Sequence, residues 1–370
     1  MRSLRVASAV LALLLLGAAG DEVEIPLPAG VLPPEIPADN PLTREKIELG
    51  RKLYFDARLS KNGNQACASC HAPAAGFADP RGQKTSAGSD GFSGPRNTPT
   101  SMNAAFSSVQ FWDGRAPTLE AQAVLPFINP IEMGIADHPA LERLVAGFPE
   151  YPPLFRAAFG GDQVTTARIG QALASFERTL VSVSAPIDKF LAGDQGAISP
   201  AAKRGWDLFN GKARCNTCHG HVDAFPFFND DLFHNIGVGT KAVDFAGLAK
   251  RAQAAATSPE SFEKLAFDPN ANALGRFIVT REQKDIGAFK TSGLRNVALT
   301  APYMHDGSQA TLADVIEFYN RGGEPNPYLD GGMRPLGLTD AEKADLVELM
   351  KTFTSDDLGR FADLVKLQPK

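Results

Sequence analysis

The stretch Cys67-Ala-Ser-Cys70-His71 returns, with its two middle residues changed, as Cys215-Asn-Thr-Cys218-His219. Two thiols one helical turn apart, followed at once by an imidazole, form the attachment signal for c-type haem. The chemistry requires that spacing: each thiol bonds one vinyl group of the same porphyrin, and the next residue reaches the iron from the proximal side. The chain has 4 Cys, and all of them lie in these motifs. Two covalent haems use every one of these residues, with His71 on one iron and His219 on the other. A redox Cys-x-x-Cys and a zinc site are the alternatives. Zinc would need the two motifs to share one ion and leave one His idle.

The motifs sit in 370 residues, room for two domains of ordinary size, with the 44% apolar and 21% charged composition of a globular chain. The first twenty residues read as an export signal. Arg2 and Arg5 supply the positive start, Val6 to Leu16 is nearly all apolar, and Ala18-Ala19-Gly20 offers a cleavage site. The apolar run is short for a membrane span, and no Cys follows it to carry a lipid anchor. A mature chain beginning at Asp21 is therefore expected to be periplasmic and not membrane-embedded, which suits haem attachment outside the cytoplasm. Without Arg2 and Arg5 the basic residues fall from 37 to 35 against 42 acids, a formal −7. That balance argues against nucleic acid as partner and is compatible with a basic electron donor.

Residues 21–41 are Pro-rich and aperiodic and read as a tether. Apolar spacing predicts helices over 43–55, 118–124 (opened by Pro117), 139–148 and 166–181, the last with Ile169, Leu173, Phe176 and Leu180 on one face. Ser199-Pro200 then reads as a new helix start. Gly205-Trp-Asp-Leu208-Phe209 echoes Gly50-Arg-Lys-Leu53-Tyr54, and each precedes a haem motif. Residues 220–290 are rich in turns, with one short helix expected near 246–256. Thr311 caps a helix carrying Leu312, Val315, Ile316 and Tyr319, ended by Gly322-Gly323. Thr339 and Glu342 make a capping box for a last helix. Strand signals are scarce. The expected fold is mostly α, with two c-type cytochrome-like haem domains over 42–190 and 191–355 and a tail over 356–370.

Three further stretches narrow the reading: Gly94-Pro-Arg-Asn97-Thr-Pro-Thr100, Gln110-Phe-Trp112-Asp-Gly-Arg115 and Leu294-Arg-Asn-Val-Ala-Leu-Thr-Ala-Pro-Tyr-Met-His305-Asp-Gly307. Together with two haem motifs in this order they resemble the bacterial dihaem cytochrome c peroxidase and MauG family over roughly residues 43–355. The resemblance implies a peroxide-reactive haem in the N-terminal half, an electron-transfer haem in the C-terminal half and a calcium ion between them. It places Trp112 between the haems as an electron relay and Glu132 as the distal acid of the peroxide site. Gln122 and Pro126 line that pocket. Asn97, with the carbonyls of Thr300 and Pro302, matches the calcium site, a hard oxygen set. Without the resemblance, Trp112 reads as a core residue, Glu132 as a surface acid and Asn97 as a turn residue.

Two departures point to the MauG-like branch. Ordinary members carry a His in the loop before Gly-Pro-Arg-Asn that blocks the peroxidatic haem until the other is reduced. Alignment on Gly94-Pro-Arg-Asn97 puts Ser89 there, and no His lies between His71 and His138. Ordinary members also carry a Met fourteen residues after the His of Pro-Tyr-x-His; here that position is Tyr319. A thioether favours ferrous iron, whereas a phenolate is hard and favours ferric and higher states. Met304 is the rival ligand, and a core Tyr is the plain alternative. His234 also fits the MauG-like pattern, without an assigned step; His138 and His221 read as surface residues.

The resemblance thus implies a periplasmic enzyme that uses hydrogen peroxide at an open haem and forms a high-valent state shared over two haems. It then oxidises an external donor, a residue of a partner protein. MauG has a Trp two residues before its second motif that passes holes to its substrate. Here that position is Ala213, and Trp206 is out of register, so a different substrate is expected. The alternatives are a dihaem peroxidase fed by a small cytochrome c or cupredoxin, and a non-enzymatic dihaem carrier. The Ser89 alignment predicts that the diferric protein reacts with peroxide without prior reduction. Rapid-mixing spectroscopy checks this, and a requirement for reductant would sink it.

Overall fold

The computed structural model describes residues 22–269, 271–356 and 358–361; the export signal read over 1–20 and the end of the tail lie outside them. Two helix pairs organise the described chain. Arg44–Phe55 packs along Thr166–Glu177, and Pro200–Asn210 packs along Asp340–Lys351. Each pair closes at a glycine. A Cβ on Gly50 would overlap the carbonyl of Ala172, and one on Gly205 that of Asp345. The echo between the two Gly-containing stretches is therefore a packing repeat. In each copy the helix ahead of a haem motif presents a glycine where a second helix backbone passes.

One apolar core forms around each pair. Leu49, Leu53, Tyr54, Phe127, Phe155, Ile169 and Phe176 fill the first; Ala202, Phe209, Phe228, Leu346, Leu349 and Phe353 fill the second. Ala185 and Ile187 join the second core, while Leu358 and Phe361 return to the first. The fold is mostly α. Among the described residues the only named strands are Phe233–His234 and Phe289–Lys290, paired antiparallel. None of the described helices is long and apolar enough to cross a membrane.

Capping follows the local sequence. Thr43 accepts from the Lys46 amide, Ser199 from that of Ala202, and capping boxes join Thr311 to Asp314 and Thr339 to Glu342. Thr118, not Pro117, opens the helix Leu119–Ala123, because its hydroxyl accepts from the Ala121 amide. The helix expected to reach residue 181 stops at Glu177. Leu180 and Val181 are buried all the same, as extended chain paired with Asn103, whose amide donates to Leu180 O (2.8 Å) and whose side chain bonds both polar groups of Ser182's backbone. Burial, not helical continuation, explains the apolar run there.

Residues 220–290 hold more order than their turns implied. Phe245–Gln253, Pro259–Phe267 and Phe277–Thr280 are helical and share a third core with Phe245, Leu274, Phe277, Ile278 and Ile286. Residues 22–41 lie against the body. Asn40 donates to Glu120 (2.8 Å) and to Gln171 O (3.0 Å), and Ile25 and Leu27 pack beside Val181, Val183 and Phe227. The glycine contacts give a direct prediction. Gly50→Ala or Gly205→Ala destabilises the protein by about 1–3 kcal/mol through overpacking, read as a lower denaturant midpoint, whereas Gly331→Ala, with open space around it and no left-handed backbone, has no comparable effect.

Candidate haem sites

Cys67–Cys70 forms a single helical turn, and the His71 amide donates to Cys67 O at 2.9 Å. His71 Nδ1 lies 3.2 Å from the carbonyl oxygen of Phe77. A carbonyl only accepts, so Nδ1 carries the proton and Nε2 keeps its lone pair for a metal. The second motif repeats the device. His219 donates from its amide to Cys215 O (2.8 Å) and from Nδ1 to Phe228 O (2.8 Å). Both phenylalanines have left-handed backbones, φ 58° at Phe77 and 56° at Phe228. Burial holds both imidazoles below their usual pKa, which keeps them in the neutral form a metal takes. The four Cys form no disulfide, and among the described residues they do not gather around one point; the single cluster of three possible ligands is Cys218, Asp230 and His234. A zinc ion shared between the motifs is thereby excluded.

A cavity of about 530 Å³ opens beside the second motif and is lined by Cys215, Cys218, His219, Tyr319, Met304 and Trp112. Its chemistry fits a haem. Tyr319, on the helix Leu312–Asn320, presents a hydroxyl with no hydrogen-bond partner among the described residues, and burial pushes its pKa up. A buried phenol in that condition is completed by a metal or another polar group. Lys290 lines the same space; its ammonium donates to Val109 O (2.9 Å), and burial lowers its pKa to about 8. Arg96 lies over the Phe289 ring at 4.7 Å with its Nε buried and unpartnered, and burial lowers its pKa to about 10. Neither cation forms a salt bridge to a carboxylate of the described residues, and the two propionates of a haem are the partners such cations need. Phe289 stacks on His305 at 3.5 Å, and His305 meets Trp112 edge-on at 6.5 Å.

Trp112 donates from its indole nitrogen to Asn97 O (2.8 Å) and accepts at its own carbonyl from the Lys290 amide (2.8 Å). Asn97 is buried. Its side-chain amide donates to Lys84 O (3.0 Å), which leaves its oxygen unpaired, and Thr300 and Pro302 line the same cavity.

At the first site Glu132 is half-buried and lies within electrostatic reach of both Cys67 and Cys70. Desolvation raises its carboxyl to about 7; the Arg115 guanidinium pulls it down, and Glu263 pushes it up. Arg115 is already committed, at 3.1 Å to Asp113 and 2.5 Å to Glu263, so its charge is largely spent before it reaches Glu132. The Glu132 turn is fastened to Pro126 through the Met133 amide (3.1 Å). Gln122 sits one helix earlier, half-buried, and makes no side-chain hydrogen bond to Glu132 or to the motif among the described residues. Glu177 is a second buried acid here, raised to about 8 by desolvation and close enough to lift the Cys67 thiol. Its place at the end of an apolar helix face gave no signal in the sequence.

His234 is clamped between two carboxylates, Asp230 at 2.9 Å and Asp330 at 2.7 Å, and Asp230 leads the groups that raise its pKa to about 11. His138 and His221, read as surface residues, are both half-buried. His221 is 16% exposed at its side chain and packs on Phe228, and His138 Nε2 is buried. His138 opens the helix His138–Ala146, capped by Asp137.

Comparison with known proteins agrees with this arrangement. A family profile described as di-haem cytochrome c peroxidase matches residues 44–196. The methylamine utilization protein MauG of Methylorubrum extorquens is 40% identical over 86% of this chain and 81% of its own. The cytochrome-c peroxidase IdrP1 of Denitromonas iodatirespirans is 37% identical over 96% of this chain and 93% of its own. A solved MauG-like protein associated with microbial copper homeostasis superposes with a TM-score of 0.74 at 33% identity, covering 90% of this chain and 95% of that one. In the haem-loaded protein Tyr319→Phe is expected to change the absorption and resonance signature of the second haem alone. An unchanged signature would return the ligand to Met304.

Proposed function

This chain belongs to the di-haem cytochrome c peroxidase and MauG family, a family of haem enzymes, and on that premise we propose that it is a MauG-like oxidase that uses hydrogen peroxide to oxidise a residue of a periplasmic partner protein. The observation that carries this reading is the asymmetry of the two sites. Ser89 stands where a blocking imidazole would be, beside an acid of raised pKa, while Tyr319 lines the other cavity with an unpartnered hydroxyl. Cys67, Cys70 and His71 would hold the first haem; Cys215, Cys218, His219 and Tyr319 would hold the second. Bound there, the haems would supply electrons to peroxide and hold the oxidising equivalents gained.

The protein's part is proton management and wiring. The Glu132 carboxylate takes the proton from one peroxide oxygen and delivers it to the other, which departs as water. Gln122 and Pro126 wall the pocket. Trp112, fixed by Asn97 O and the Lys290 amide, relays electrons between the sites. Asn97 Oδ1 and the carbonyls of Thr300 and Pro302, which line one cavity, would hold a calcium ion, a hard cation that would supply fixed positive charge beside that relay. The export signal over 1–20 delivers the chain to the periplasm. A second reading, a dihaem peroxidase drawing on a small cytochrome c or cupredoxin, is favoured by the similarity to a named peroxidase over 96% of the chain.

Two measurements test these readings. Glu132 works as a base first, so the second-order rate with peroxide rises as pH is raised through about 7. Glu132→Gln lowers that rate by about 10²- to 10⁴-fold and flattens the profile; a wild-type rate in that variant would remove Glu132 from the chemistry. Periplasmic extract treated with enzyme and peroxide then separates the donors. A mass change on one protein supports the oxidase, and rapid turnover with a reduced small cytochrome without such a change supports the peroxidase.

A further inference from the structure

The Gly/Ser-rich loop around Ser89 is held far more firmly than its composition implies. Ser89 is buried, and every polar atom it owns is bonded. Its hydroxyl donates to Asn64 Oδ1 (2.7 Å) and accepts from the Asn62 amide (3.2 Å). Its carbonyl accepts from the side-chain amides of Asn62 (3.0 Å) and Asn64 (3.1 Å). Its own amide donates to the carbonyl of Glu132 at 2.6 Å. Next to it, Asp90 takes Lys61 (2.6 Å) and Asn62 (2.7 Å). On the other side Gly88 presses so close that a Cβ would overlap the carbonyls of Ile131 and Glu132.

The turn 129–135 therefore has two external straps. The Lys61 amide holds Met133 O (2.8 Å), and the Ser89 amide holds Glu132 O. Both straps come from one unit, because Asn62 and Asn64 tie the 60–64 turn to Ser89. The remaining bonds of the acid turn are its own or come from the helix just before it: Glu132 and Gly134 amides to Asn129 O, Met133 to Pro126 O and Ile135 to Phe127 O. Such a short turn on its own would leave Glu132 free to swing.

We propose that Asn62, Asn64 and Ser89 form a clasp whose task is to position Glu132, so that Ser89 is a positioning residue of the peroxide site and not merely the absence of a blocking ligand. The catalytic consequence rests on the role of Glu132 proposed above; the mechanical one does not. A displacement of about 1 Å at a reacting group costs on the order of 100-fold in rate, so a loosened strap is visible in kinetics while the core stays intact.

The test uses the dihaem holoprotein with Ser89→Ala, Ser89→Thr, Glu132→Gln and the Ser89→Ala/Glu132→Gln pair. Asn64→Ala serves as a second way to open the clasp, since Asn64 is exposed and its loss spares the fold. Amide exchange over residues 129–135 is expected to accelerate in Ser89→Ala and Asn64→Ala, with exchange around the second motif unchanged. The peroxide rate is expected to fall about 10- to 100-fold with a displaced pH midpoint, and Ser89→Thr to restore both. On top of Glu132→Gln, the Ser89 change is expected to cost nothing further. Unchanged exchange over 129–135 would overturn the clasp, and so would rate losses that multiply in the double variant. If Glu132→Gln alone keeps the wild-type rate, the proposed acid role fails. Exchange then decides the clasp by itself, faster exchange supporting it and unchanged exchange overturning it.

Discussion

Two backbone carbonyls, those of Phe77 and Phe228, hold the imidazoles on which both haem sites depend. A buried imidazole must place its N–H somewhere, and the nitrogen it commits decides which one faces a metal. Each carbonyl is delivered by a phenylalanine in the left-handed region, which costs on the order of 1–3 kcal/mol and persists only where packing imposes it. Tyr54 packs on Phe77 and Trp206 and His221 on Phe228, and residues near the C-terminal end add to both. The Phe361 ring meets Phe77 edge-on at 5.5 Å, and the Phe353 ring lies 4.5 Å from Phe228. Residues nearly 300 positions from the first motif thus help set the nitrogen it offers.

From that common frame the two sites diverge by what faces them. The first is set among acids and apolar groups: Glu132 and Glu177 are desolvated, and the nearby Arg115 is already neutralised by Asp113 and Glu263. The second is set among a phenol and a buried cation, Tyr319 and Lys290, with Arg96 over the Phe289 ring. The first environment favours holding and releasing protons. The second favours anionic ligands and carboxylates. Trp112 joins them mechanically, because its indole and its carbonyl are bonded to Asn97 and Lys290, residues of opposite halves.

Much of this was legible in the order of residues, and the pattern of success has a physical basis. Helix starts at Thr43, Ser199, Thr311 and Thr339 were readable because a cap is a contact over three residues. The glycine echo was visible as text, but its meaning was not. Gly50 and Gly205 matter because of Ala172 and Asp345, more than a hundred residues away. Of the third core within 220–290 only the helix expected near 246–256 was legible, found at Phe245–Gln253; the others are short and their apolar faces are completed only by one another.

The sequence by itself determined where covalent haem attachment can occur, because thiol, thiol and imidazole must be neighbours along one turn. Its likeness to known proteins named the family as well. Tertiary structure alone decided that His71 and His219 both offer Nε2, since the two carbonyl partners sit six and nine residues downstream and share no motif. It also decided that Glu132 is desolvated, that the Tyr319 hydroxyl is left without a partner, and that the Ser89 loop is fastened. Each of those properties depends on which groups the fold brings within a few ångströms, and no local spacing encodes that.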